Sequence, residues 1–193
     1  MNLRRLTAPS IAAIAITFTL AACGSDHSGS HSSSGTQEAG GFNTADIEFA
    51  QGMIAHHEQA IEMAEIALDP TTGASAEVVD LATRIKGAQD PEVKVMTGWL
   101  TTAEEPMDMG EGHDMSTMDG MMSADQMDAM SAMTGTEFDQ VWLGMMIAHH
   151  EGAVTQSETV KAKGSNADVL TLADQIISAQ QAEITEMAAL VKS

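Results

Sequence analysis

The chain has no tyrosine, one cysteine and four prolines, and Phe and Trp together make up 3% of it. So few aromatic rings leave Ala, Ile, Leu, Val and 16 methionines to fill any core. A single thiol, Cys23, excludes an internal disulfide and a cysteine-built metal cluster. Basic residues are also scarce, 8 Lys and Arg against 28 Asp and Glu, for a net charge of −20. None stands between Lys94 and Lys161. Such a surface repels nucleic acid and anionic lipid and draws cations toward it, although plain solubility needs it equally. No apolar run approaches the ~20 residues of a membrane helix. No segment alternates as a half-buried strand does.

The one cysteine has a telling position. Arg4 and Arg5 precede a short apolar run, Ile11 to Leu20, and Leu20-Ala21-Ala22-Cys23 closes it. The pattern reads as a signal peptide over residues 1–22. Its ending resembles the lipobox of bacterial lipoproteins, which implies cleavage before Cys23, lipid on its sulfur and a place on the outer face of the membrane. Contact with the membrane is then through the lipid alone. The alternative is an ordinary secreted protein with an incidental Cys23. Residues 23–42 are mostly Ser, Gly and His and read as a flexible tether. His27 and His31 within it are read as incidental. Residues 43–193, roughly 150 in all, suit one domain.

That domain contains a repeat. Met53-Ile54-Ala55-His56-His57-Glu58 returns as Met146-Ile147-Ala148-His149-His150-Glu151. The two copies hold most of the 7 histidines. Further on, Gln89-Asp90-Pro91-Glu92 with Met96 matches Gln180-Gln181-Ala182-Glu183 with Met187. Each half therefore reads as a helical hairpin, repeat one over 44–100 and repeat two over 136–191. Helices are expected from Thr44 to Leu68, from Ser75 to about Leu100 with a kink at Pro91, from Thr136 to Lys163, and from Asn166 to about Val191. Between the hairpins, residues 101–135 form a Met-, Asp- and Gly-rich insert. It is expected to be mobile apart from a short helix capped at Ser123.

At about 100° per residue, Met53 shares a stripe with Phe49, Ala60, Ala64 and Ala67, with His56 and His57 flanking it. Glu48, Gln51, Glu58, Glu62 and Glu65 fall on the opposite, solvent face. On the last helix Gln180 shares a stripe with Val169, Ala173, Ile176, Met187 and Val191, and Glu183 lies beside it. Gln89, Glu92 and Met96 hold the equivalent places. A buried amide and carboxylate cost several kcal/mol unless partnered, so histidines, a metal or both must satisfy them.

These paired motifs, two copies of Met-Ile-x-His-His each followed by Gln-x-x-Glu-x-x-x-Met, resemble the bacterial family called domain of unknown function 305. The resemblance spans about Thr44 to Val191 apart from the insert. It implies an all-α, ferritin-like four-helix bundle built from two repeated hairpins. It also implies a secreted or envelope protein, with some members linked to copper binding and copper resistance. The chain departs from its own pattern at Pro91, opposite Ala182, and at Gln156, opposite Met63. Repeat one is therefore expected to be the more distorted or less complete site.

Helical spacing makes Met53 a neighbour of His56 and His57. With Met96 and Glu92 from the facing helix, they form a mixed sulfur, nitrogen and oxygen donor set. Met146, His149, His150, Glu183 and Met187 repeat it. Thioether favours Cu(I) and imidazole suits copper in either state, so copper is the expected ion, with other transition metals as alternatives. Neighbouring histidines diverge, so one of each pair is expected to ligate and the other to pair with Gln or Glu, with Gln89 and Gln180 as outer partners. In the insert, Met107, Met109, His113, Met115, Met118, Met121 and Met122 form an auxiliary soft-donor set. The competing view is a greasy lid, or an amphipathic helix packed on the bundle with Met127, Met130 and Met133.

The leading expectation is a lipid-tethered protein that sequesters or transfers copper, with no catalysis and no identified protein partner. One alternative is a metal-free interaction module held by a buried His/Gln/Glu network. Another is a di-iron oxidase of ferritin type, for which Glu is expected where Met53 and Met146 stand. The lack of a free thiol and of tyrosine weighs against a copper oxidase.

Overall fold

Asn43 starts the first helix. Its side-chain oxygen accepts from the Asp46 N–H at 2.9 Å, and the Asp46 carboxylate accepts from the Asn43 N–H at 2.9 Å. This reciprocal cap satisfies donors that a helix start otherwise leaves bare. The resulting α1 runs Thr44–Leu68 and stops at Asp69-Pro70, where a short 3-10 turn, Pro70–Thr72, reverses the chain. Ser75 caps α2, Ala76–Ala103. Then come α3, Ala124–Ser131, α4, Gly135–Lys163, and α5, Ala167–Val191. The computed structural model describes residues 41–108 and 118–191, and the element is helical wherever it is regular, with no strand among these residues. Residues 1–40, which include Cys23, the expected signal and most of the expected tether, lie outside the described residues, as do Met109, His113 and Met115. Phe42, expected at the end of the tether, is instead buried in the core beside Trp99.

α1 packs on α2, α4 packs on α5, and the two hairpins meet through α1 and α4. α1 and α4 run antiparallel, since Asn43 Nδ2 at the start of α1 donates to the Lys163 carbonyl at the end of α4, 3.0 Å away. Asp46 secures this end. Its carboxylate is fully buried and accepts from the N–H groups of Ser165 and Asn166 and from the Ser165 hydroxyl, each at 3.1 Å. Gly164 permits the approach, for a Cβ there would stand 2.5 Å from Asp46 Oδ1 and 2.8 Å from the Val160 carbonyl.

The core falls into two apolar clusters. One joins Met63, Leu81, Ile85, Trp142, Met146 and Met187 at the loop end of α1. The other joins Phe49, Met53, Met96, Leu100, Val169 and Ile176 at its start. Trp142, the largest fully buried side chain, donates its indole N–H to the Met63 carbonyl at 2.9 Å.

Several expectations need correction. Gln51 is buried, because the segment after α2 lies against it, its amide donating to the Pro106 carbonyl at 2.9 Å. Val191 is exposed, since it sits in the last turn of α5 beyond the core. The insert holds far more apolar contact than its Gly and Asp content implies. Met122, Met127 and Met130 are buried in the first cluster, and Met133 packs against it. A capping box between Ser123 and Gln126 sets α3 so that Met127 and Met130 face the bundle. Gln59 then clasps the backbone of Met122 with two hydrogen bonds, at 2.8 and 2.7 Å. Met122 is accordingly a core side chain, and only Met107 of the described auxiliary methionines is exposed.

Candidate metal centre

The four histidines of the repeat form a layer across the middle of the molecule, between the two apolar clusters. All four are fully buried. His56 of α1 and His149 of α4 meet at the seam between the hairpins, with ring centroids 3.8 Å apart and planes inclined at 45°. The other two turn outward to their own hairpins. His57 Nε2 lies 2.7 Å from Glu92 Oε2, and His150 Nε2 lies 2.8 Å from Glu183 Oε2. The two halves agree to a tenth of an ångström at this pair.

The electrostatics follow from the burial. Desolvation first, then the neighbouring imidazoles of His57 and His150, push the His56 pKa down to about 3. The backbone of Asp119 approaches the ring and opposes the shift, without reaching hydrogen-bond geometry at either nitrogen. His149 is held well below the ordinary imidazole value by burial and by His56, His150 and His57. Both rings are therefore neutral at physiological pH, the form that binds metal.

Both ring nitrogens of His56 and of His149 lack a hydrogen-bond partner, as does Nδ1 of His57 and of His150. A carboxylate only accepts, so Nε2 of His57 and His150 carries the hydrogen. In the neutral ring that leaves a lone pair on the inward Nδ1. A carboxylate holding one nitrogen while the other faces the interior is the usual support of a metal-ligating histidine. Glu92 and Glu183 thus stand behind the histidines. Gln89 and Gln180, expected as those partners, are buried with their Oε1 atoms unpaired.

The four methionines expected as donors are core side chains. Met53 and Met96 share one apolar cluster, and Met146 and Met187 share the other, all four fully buried. Among the described residues no three His, Asp or Glu side chains converge as a metal site. Residues that sequence reasoning overlooked are Gln59 and the turn at Asp119-Gly120, which lies against Gly152. Their one signal in the sequence was glycine where a helix and an insert meet.

The family model described as domain of unknown function (DUF305) matches residues 46–191. The chain belongs to this family. Three solved structures bear on the site. A putative secreted DUF305 protein from Streptomyces coelicolor is 29% identical with a TM-score of 0.70, over 76% of this chain and 89% of that one. A DUF305 fragment from Deinococcus radiodurans is 26% identical with a TM-score of 0.71, over 80% and 98%. CopM in its Cu(II)-bound form is 31% identical with a TM-score of 0.63, over 76% and 95%. CopM is also known in Cu(I)-bound and silver-bound forms. No curated protein matches the chain.

Proposed function

We propose that this DUF305 protein captures a soft metal ion, copper foremost, at the bacterial cell envelope and holds it for sequestration or transfer. The observation that carries the reading is the set of buried, unpartnered imidazole nitrogens in a layer between two core clusters that hold four buried thioethers. Leaving such nitrogens dry and unpaired is costly. A soft cation with a taste for imidazole and thioether would repay that cost. Copper and silver in the CopM structures support the same choice of ion.

Two equivalent sites are proposed. Met53, His56, His57 and Met96 serve the first, and Met146, His149, His150 and Met187 the second. Glu92 and Glu183 orient the imidazoles, and Gln89 and Gln180 line the layer. The hairpins are read as a ferritin-like four-helix bundle, tethered outside the membrane by lipid on Cys23. No catalytic step is proposed for it.

Titration with Cu(I) against a competing chelator tests the reading. The protein is expected to bind more tightly than a His56→Ala, His57→Ala, His149→Ala, His150→Ala variant. A Met53→Leu, Met146→Leu variant, which keeps core volume, should lose at least tenfold in Cu(I) affinity. Equal affinity in all three, with an unmoved melting temperature, would leave a metal-free buried network as the answer.

A further inference from the structure

The histidine seam has a cover, made by a stretch of the insert that crosses it. Met118 lies over Gly52, where an added Cβ would stand 3.1 Å from the Met118 methyl. Asp119 and Gly120 lie over α4. A Cβ on Gly152 would stand 1.9 Å from the Asp119 carbonyl oxygen, and one on Gly120 would stand 2.7 and 2.9 Å from the carbonyls of Ala148 and His149. Gly120 also has a φ of 83°, which glycine adopts without strain. Met122 is then clasped by Gln59. From Gly52 to Gln59 α1 rises about 10 Å, and the stretch from Met118 to Met122 reaches about 14 Å when extended. It therefore passes over His56, whose ring the Asp119 backbone approaches.

The repeat makes this asymmetry legible. Gly152 is the counterpart of Gln59, as His149 is of His56. At one of the two equivalent places an amide clasps the insert. At the other, the loss of a side chain admits it. Neither feature serves the histidines directly, and both serve the crossing. A cleft of about 210 Å³, lined in part by Glu48, Asp119 and Gln156, opens beside it.

We propose that the Met118–Met122 stretch is a releasable cover of the His56/His149 seam, latched by Gln59 and seated on Gly152, and that its release admits the metal ion. This rests on the copper-capture reading for the identity of the ion, while the cover itself can be read without metal. The latch is two hydrogen bonds from one side chain in the middle of α1, backed by the buried Met122, on a short non-helical stretch, whereas the rest of the layer is sealed by long helices. The cover is therefore the element that opens most readily.

The test uses the full-length chain and diethyl pyrocarbonate, which modifies accessible imidazole, with each modified histidine located by mass spectrometry. Gln59→Ala and Gly152→Ala are each expected to speed modification of His56 and His149 at least tenfold. Amide exchange around Leu81 and Ile85 should stay as slow as in the parent. Uptake of Cu(I) from a chelator should accelerate alongside. Unchanged modification rates in both variants would overturn the cover, and so would core amides that open in step with the histidines. Faster modification without copper binding in any form of the protein would sink the copper reading and leave the cover standing. Copper binding at the parent rate in both variants would do the reverse.

Discussion

His56 and His149 are the residues whose chemistry departs furthest from what their names alone imply. Each stays neutral because it is dry and faces other imidazoles. Its folded pKa therefore lies below the unfolded value of about 6.5, and the unfolded chain binds protons that the folded one refuses. Stability from this source is fully present above about pH 6.5 and declines as pH falls toward about 3. For His56 alone the loss by pH 5 is on the order of 2 kcal/mol. Urea midpoints of the metal-free protein should accordingly fall between pH 7 and 5, and His56→Gln should flatten that slope. A parent whose midpoint is level over this range would contradict the burial argument. Bound metal should restore the acid-side stability, because protons and metal compete for the same lone pairs.

At the scale of elements, caps and loop clasps decide where each helix begins and what it meets. Asp46 caps its own helix and also holds the α4–α5 connection, with no exposure to water. Asp46→Ala should cost about 3 kcal/mol, because several buried N–H groups lose their acceptor together. Asn43→Ala removes one cap bond and one exposed bond to the Lys163 carbonyl and should cost about 1 kcal/mol. Chemical denaturation of the two variants checks the ranking, and equal losses would show that the Asp46 clasp adds nothing to the cap. The helix bounds themselves were largely legible in the chain, because Pro70, Ser75, Ser123, Gly164 and Asn166 mark them with short-range chemistry. The path of the insert was not. Its burial depends on Gln59 and Gly152, which are remote in sequence and neutral in any local pattern.

At the scale of the whole molecule, a net charge of −20 is the feature most relevant to ion capture. A surface of one sign concentrates counter-ions and speeds their arrival, and salt screens the effect. The rate of Cu(I) uptake from a weak positively charged complex should fall several-fold between 20 mM and 500 mM salt, values set by a Debye length that drops from about 20 Å to a few ångströms. The dissociation rate should hardly move, because the ion is held in the interior. Stopped-flow measurements separate the two, and a salt-independent uptake rate would mean that the acidic surface serves solubility alone. Arg84 is one of the few cations that counter this charge, bridging α2 to α5 through Glu186 at 2.6 Å.

The chain alone determined that this is a helical protein with two matching halves, and it singled out the histidines, the carboxylates and the four inward methionines. Those are consequences of periodicity, which every residue in a helix carries with it. Only the tertiary structure decided that His57 and His150 take the carboxylates while His56 and His149 meet each other at the seam. It alone decided that most of the described insert methionines belong to the core and that one turn of the insert lies over the seam. Such choices depend on how two helices from different halves are set against one another, a relation between distant residues that local spacing does not encode.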